Sequence, residues 1–506
     1  MSLYQTSHST WTIVQFHTWD NGLVEVRDVR QPGHHGPLKS MQTNKRLGDP
    51  AGTFELGLTG RAVGGPYDGV AWSDLLTEGD WMSIEVVKDG AWKGCMVGKI
   101  DDVGLSVEAG ATGEASVTVN VRGRDAGAPL VDCPIYFNPH DPVHNNAAGL
   151  EMARVLREGF VGPPQKLIPG AIRGLFASDG LYGTVVQLPP TLAGSGALWV
   201  DLLGMDLASA GGTVQDSLRG GAFTPSVLTM DGAPSVWSFL DGWRNPVLNE
   251  MWVDSTAAIS PRRWYLNLRE RPFVNRADGP GSPWFRLTAH DIDARTVVSA
   301  SLSKGLNRIN HIMLFAEPAR FLGQDAYALY PPVADFDSVR RYGLRKLEES
   351  TRFYDVDGSG FTSEYKKWLD LVVSWNANNA AEFSGTIVLA DLRPEIRVGQ
   401  KVQIVNGPLG GYPGLPYDGG VPGKFVSFYV EGVAHRWTEG RSPMAQSVLT
   451  VSRGFVEGSR VDAVATAAAK FAGSSLPPTG SVDRYDLEPA DARQGIDAAT
   501  EKIEVA

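Results

Sequence analysis

The chain has 506 residues, 42% of them hydrophobic and 20% charged, a composition that suits a globular protein of two to four domains. Its 46 basic residues against 57 acidic ones leave a net charge of −11, which argues against a surface built to neutralise nucleic-acid phosphates. Two cysteines, Cys95 and Cys133, stand outside any ligand-like spacing, so neither a disulfide framework nor a thiolate metal site is expected.

The start, Met1 to Phe16, lacks the basic head and apolar run of a signal peptide, and no eighteen-residue apolar stretch exists to span a membrane. Synthesis and assembly in the cytoplasm are therefore expected. Thr12-Ile13-Val14-Gln15-Phe16 and Leu23-Val24-Glu25-Val26 alternate around Asp20-Asn21-Gly22, a hairpin signal because Asn-Gly tolerates the positive φ of a tight turn. After a Gly-, Pro- and His-rich loop, a set of strands begins with Gly52-Thr53-Phe54-Glu55-Leu56. It continues through Gly79-Asp80-Trp81-Met82-Ser83-Ile84 and Gly94-Cys95-Met96-Val97 rising to Val103, and closes on Ser116 to Gly123. From Asn145 to Phe160, Leu150, Ala153 and Leu156 recur at helical spacing. The region from Gln165 to Tyr330 predicts a helix at Ser235–Trp243 and strands at Trp264–Leu268 and His311–Phe315. Helices are also predicted over Ser338–Ser350 and along the stripe Tyr365, Trp368, Leu369, Val372, Val373.

More than three hundred residues after the first set, the same programme recurs in the same order. It runs Gly385-Thr386-Ile387-Val388-Leu389, Gly399 to Ile404, Gly423 to Val426 rising to Val433, and Ser447 to Gly454. The fold class predicted is mainly β with some α (α+β): two tube-like β-barrel modules, an intervening mixed α/β region and an extended C-terminal arm. The boundaries read 1–144, 145–334, 335–458 and 459–506. The arm is Ala-rich, then polar and acidic, too weakly patterned to bury a core alone, and reaches on the order of 150 Å if extended.

Chemistry-bearing motifs are few. Asp355-Val356-Asp357-Gly358-Ser359-Gly360 copies the first half of a calcium loop, with Asp355, Asp357 and Ser359 as candidate ligands between two predicted helices. Its twelfth position is Lys366, a cation where a bidentate carboxylate is needed, so a turn capped by Thr362 is the competing reading. His34, His35, His140 and His144 lie in Pro-rich loops and read as unliganded surface histidines. No nucleophile elbow, His-Glu-x-x-His, Walker loop or dinucleotide fingerprint occurs. Neither catalytic residues nor a cofactor are predicted, and the reading is of a structural protein, not an enzyme.

Several phrases stand in a telling order: Ser235-Val236-Trp237-Ser238-Phe239-Leu240, Asn245 to Asp254, Trp264 to Phe273, Ser301 to His311, and Tyr342-Gly343 before the second strand set. In this the chain resembles the baseplate hub proteins of tailed bacteriophages, whose relatives include hubs of contractile injection systems. The resemblance implies a homo-trimeric, pseudo-hexameric ring joining the tail tube to a central spike or tip complex in the virion. Its implied partners are tube or tube-adaptor proteins, the spike and a tape-measure protein, with double-stranded DNA passing unbound. The residues alone show the duplication; the number three comes from the family. Ring closure agrees with the strand patterning, since each module has edges that a neighbour can pair. Asp80, Glu85, Asp101 and Asp102 are candidates for an acidic lumen that repels DNA, or for a solvated outer face. The alternatives are a calcium-dependent carbohydrate-binding protein or a glycan hydrolase of a tail tip.

Overall fold

The computed structural model describes residues 11–27, 38–63, 65–88, 91–109, 115–134, 168, 171–173, 175–178, 182–183, 186–206, 223–225, 235–244, 249–255, 264–273, 284, 287–305, 308–316, 328–329, 333–351, 353–355, 372–373, 375–377, 382–405, 426–438 and 444–456. Strands dominate, with a minor helical part, so the fold is mainly β with some α.

The predicted hairpin forms from β1 (Trp11–His17) and β2 (Leu23–Arg27), with Gly22 at φ +72° closing the turn. Next come β3 (Leu38–Arg46), β4 (Thr53–Thr59), β5 (Trp81–Lys88), β6 (Ala91–Ala109) and β7 (Ala115–Asp125). These pair in the row β2-β1-β5-β6-β7-β4-β3. Val24 and Val26 at one end share a single core with Leu38 and Met41 at the other, around Phe16, Leu56, Ile84, Ile100 and Val121. The row therefore curls over on itself, the shape that alternating apolar residues impose when one face must leave water. Phe54 lies across Gly123, where a Cβ would sit 2.7 Å from the ring's Cε1, so the aromatic fits because that position has no side chain.

The middle of the chain supplies β8 (Leu203–Asp206), β9 (Phe223–Pro225), helix Val236–Trp243, β10 (Asn249–Asp254) and β11 (Trp264–Glu270). Ser235 caps the helix, its hydroxyl accepting from the Ser238 amide at 3.2 Å. Strands β10, β11 and β8 form a small sheet. Its core takes in Trp81 and Val97 from the first curled row, and Trp264 stacks on Trp81 at 5.5 Å and on Trp199 at 6.3 Å.

Then follow β12 (Ala289–Asp293), β13 (Val297–Lys304), β14 (His311–Ala316), β15 (Ala328–Leu329), β16 (Val333–Ala334), β17 (Lys346–Thr351) and β18 (Phe353–Asp355). The helix predicted over Ser338–Ser350 is shorter than expected: it runs Phe336–Tyr342 and stops at Gly343, φ +78°. Lys346–Thr351 is instead a strand, paired in parallel with β14. Pairing to an existing strand outweighs the helical preference of Lys346, Leu347, Glu348 and Glu349.

The chain ends its described part with β19 (Phe383–Leu389), β20 (Lys401–Val405), β21 (Val426–Thr438) and β22 (Met444–Val456). These take up β12 and β13, drawn from the middle region, in the row β12-β20-β21-β22-β19-β13. A second core, built on Ile292, Val297, Ile387, Val402, Phe428, Val430 and Leu449, again unites both ends of the row. Pairing of β21 with β3 fuses the two rows into one continuous sheet, thirteen strands among the described residues.

Candidate functional site: the junction between the strand ladders

The ladders β4-β7-β6-β5 and β19-β22-β21-β20 have the same order and are antiparallel throughout. Their details coincide. Gly79, φ +93°, donates its amide to the Ile100 carbonyl at 2.9 Å, and Ile100 donates to the Asp80 carbonyl at 2.7 Å. Gly399, φ +77°, donates to Val430 at 2.8 Å, and Val430 donates to Gln400 at 2.9 Å. In each ladder an acidic residue follows as the extra residue of a bulge, Asp101 between Ile100 and Asp102 and Glu431 between Val430 and Gly432.

Flanking strands repeat as well. Strand β3 pairs with β4, and β13 pairs with β19, each with a bulge at its second residue, Lys39 and Val298. Sequence reading missed β13 because about eighty residues separate it from β19, whereas β3 lies next to β4; the faint signal was Leu38-Lys39-Ser40-Met41 against Val297-Val298-Ser299-Ala300. Alignments made from sequence are corrected: Gly52–Leu56 was matched with Gly385–Leu389, but Leu56 opposite Val121 and Ile387 opposite Leu449 shift that match by two residues, and Val97 was matched with Val426, but Val97 opposite Ser83 and Ser427 opposite Gln403 shift it by one. Ser116–Gly123 was matched with Ser447–Gly454, but the pairs Asp102 with Arg122 and Gly432 with Thr450 shift the true match by three residues. Period-2 alternation specifies faces, while bulges and turns set register, and Arg453 at φ +58° sits at such an irregularity.

The junction itself is built on β21. Its first half, Val426–Tyr429, pairs with β20, and its second half, Gly432–Thr438, crosses to β3 with Val433 opposite Lys45, His435 opposite Thr43 and Trp437 opposite Met41. Trp437 enters the first core, and Leu47 donates its amide to the Glu431 bulge carbonyl at 2.7 Å. A pocket lies where the two rows meet the middle sheet, among Lys45, Cys95, Asp125, Asp254, Arg397 and His435. Lys45 holds Asp125 at 2.8 Å; burial raises the carboxyl's pKa, and the ammonium opposes that shift. Burial pushes the Cys95 thiol up to about 12 and pulls His435 down to about 4. His435 Nδ1 lies 2.9 Å from Ser447 Oγ, a spacing that nucleophile and base pairs use. Both residues are buried, and Ser447 Oγ also accepts from the Arg393 amide at 2.8 Å, so the contact serves as an internal brace.

A second tie joins the middle sheet to the second ladder. Glu250, buried on β10, accepts from Arg269 Nε at 2.6 Å and from the Tyr429 hydroxyl at 2.6 Å, and Arg269 also donates to Tyr429 at 2.9 Å. Burial pulls the Arg269 pKa down, but Tyr429 and Glu250 more than reverse this and the net direction is up. The guanidinium sits 4.9 Å from the centre of the Trp252 ring.

The candidate acids divide. Asp80 is 1% exposed and accepts from the Trp19 and Thr77 amides, and Glu85 is also buried, so neither faces an aqueous channel in the chain as it stands. Asp101 is held by Arg124 through bonds of 2.7 and 2.8 Å, and only Asp102 of the four is exposed. As the extra residue of a bulge, Asp101 also breaks the simple alternation expected for Asp101-Asp102. Of the calcium candidates, Asp355 ends β18 against Phe223; it leaves a strand, not the first helix of a helix-loop-helix. Asp357 and Ser359 lie outside the described residues, as do His34, His35, His140, His144, the helix at Asn145–Phe160 and the C-terminal arm. Among the described residues no cluster of three or more His, Cys, Asp or Glu suits a metal ion, and no helix is long and apolar enough to cross a membrane. Both cysteines are free and buried.

No family model matches the chain, and no curated protein matches it. Among solved structures it is similar to a tail protein from Neisseria meningitidis MC58, at 13% identity over 87% of this chain and 96% of that one, with a TM-score of 0.44. It is also similar to the 43 kDa tail protein of prophage MuSo2 from Shewanella oneidensis, at 11% identity over 88% and 98% of the two chains, TM-score 0.42. A third likeness is to an E. coli component of the type VI secretion system, at 9% identity over 85% and 76%, TM-score 0.39.

Proposed function

We propose that the chain is the structural hub of a phage tail baseplate or of a related contractile injection device. It forms a trimeric, pseudo-hexameric ring that joins the tail tube to the spike or tip complex and surrounds the DNA channel. The observation that carries this reading is the repeated ladder, with matching glycine turns and matching bulges, joined within the chain by β21 and β3. A chain holding two equivalent wall segments already joined edge to edge contains one step of a ring, and further copies repeat that step. Three chains with two ladders apiece would offer six wall segments to a sixfold tube. The phrase order between Ser235 and His311 supports the same family. Tube or adaptor proteins, a spike and a tape-measure protein are its proposed partners, the virion is its proposed location after assembly in the host cytoplasm, and catalysis is not part of its role. Mass photometry of the purified full chain and negative-stain images test this: a hollow ring of three copies is expected, and a compact monomer at all concentrations overturns it.

A further inference from the structure

The junction inside the chain has an unfilled counterpart at each of its ends. Strand β6 pairs with β5 through Lys99, but from Asp102 onward its outer edge has no partner among the described residues. The equivalent stretch of β21 is the part that pairs with β3. Strand β13, the counterpart of β3, pairs with β19 on one side and has no partner among the described residues on the other. Burial follows the same division. Val433, His435 and Trp437 are buried at the filled junction, whereas their equivalents on β6 include Leu105 and Val107, exposed by 62% and 66%. Met41 and Thr43 of β3 are buried, whereas Ala300 of β13 is exposed and Leu302 half-buried. An open strand edge flanked by exposed Leu and Val invites pairing with another chain.

We infer that β6 of one copy pairs antiparallel with β13 of the next copy, in the register that β21 and β3 already use within the chain. Carrying that register over places Leu105 opposite Leu302, Val107 opposite Ala300, Gly104 opposite Ser303 and Ser106 opposite Ser301. Apolar residues then meet apolar ones on one face and small residues meet small ones on the other, a match that cross-strand packing rewards. The contact is head-to-tail, β6 to β13, so it propagates around a ring instead of ending at a twofold dimer. This inference rests on the ring reading above and names the surface that closes it.

Two variants of the full chain test it. Leu105→Cys with Leu302→Cys brings two thiols to directly opposed positions, within disulfide reach in an antiparallel pair. Mild oxidation is expected to link copies into covalent multimers on a non-reducing gel, while Leu105→Cys with Ser301→Cys, one residue out of register and on the other face, does not. Cys95 and Cys133 are buried and do not compete. Leu105→Lys with Val107→Lys alters exposed positions only, so it is expected to keep the parent's far-UV circular dichroism yet remain monomeric. A parent ring whose opposed cysteines fail to link, or link no better than the shifted pair, or whose lysine variant still assembles, overturns this junction and leaves the ring reading standing. A parent chain that never assembles overturns both.

Discussion

Arg269→Met isolates the buried tie between the middle sheet and the second ladder. The substitution keeps an unbranched apolar stem but removes the cation from Glu250, which has 1% of its surface exposed and lies 2.6 Å from Arg269 Nε. The Tyr429 hydroxyl still donates at 2.6 Å, so the carboxylate keeps one hydrogen bond and loses its charge partner. Breaking one side of a buried ion pair costs about 3–5 kcal/mol. Replacing both members with apolar residues, as in Glu250→Leu with Arg269→Met, removes the unpaired charge and leaves the buried Tyr429 hydroxyl without a partner, a smaller cost of about 1–3 kcal/mol. A chain with several cores does not unfold in one step, so the assay must be local. Peptide-resolved hydrogen exchange over Asn249–Asp254 and Trp264–Glu270 is expected to lose roughly two to three and a half orders of magnitude of protection in Arg269→Met. The double variant is expected to recover part of it. If protection in these strands falls by less than about tenfold, or the double variant is no better than the single, the buried pair is not what ties these two parts together.

Three further outcomes follow from single sites. His435 is neutral and buried, its pKa down at about 4 from an ordinary 6.5, so between those values the unfolded chain binds a proton that the folded chain does not. Stability is therefore expected to fall as pH drops from about 7 to about 4, by at most ~3 kcal/mol from this group, and His435→Gln should show a shallower loss in parallel acid titrations. Gly79→Ala and Gly399→Ala both force an L residue to positive φ, about 1–2 kcal/mol, but a Cβ at Gly399 also meets Trp252 at 2.9 Å while none crowds Gly79. Hydrogen exchange in the strands that follow each turn, Trp81–Lys88 and Lys401–Val405, should rank Gly399→Ala as the more costly by a further ~1–3 kcal/mol, and equal effects would contradict the packing at that turn. Burial raises the Cys95 and Cys133 thiols to about 12 and about 11, so a thiol reagent at pH 8 should find neither in the native chain within minutes and both after denaturation.

Local rules carried much of the architecture. Asn21-Gly22 and the alternation on either side were enough for the first hairpin, Ser235 ahead of an apolar helical run for helix Val236–Trp243, and alternation with glycine turns for both four-strand ladders. Such signals are legible because φ preference, capping and the two-residue period act over a few neighbours. Tertiary structure alone decided the rest. It turned Lys346–Thr351 from helix to strand, brought β13 to β19 from about eighty residues away, slid β22 three residues from its sequence match, and gathered Glu250, Arg269 and Tyr429 into one buried group. Each of these depends on which distant segment supplies a hydrogen-bonding edge or a counter-charge, and a run of residues read by itself holds no information about its partner across the sheet.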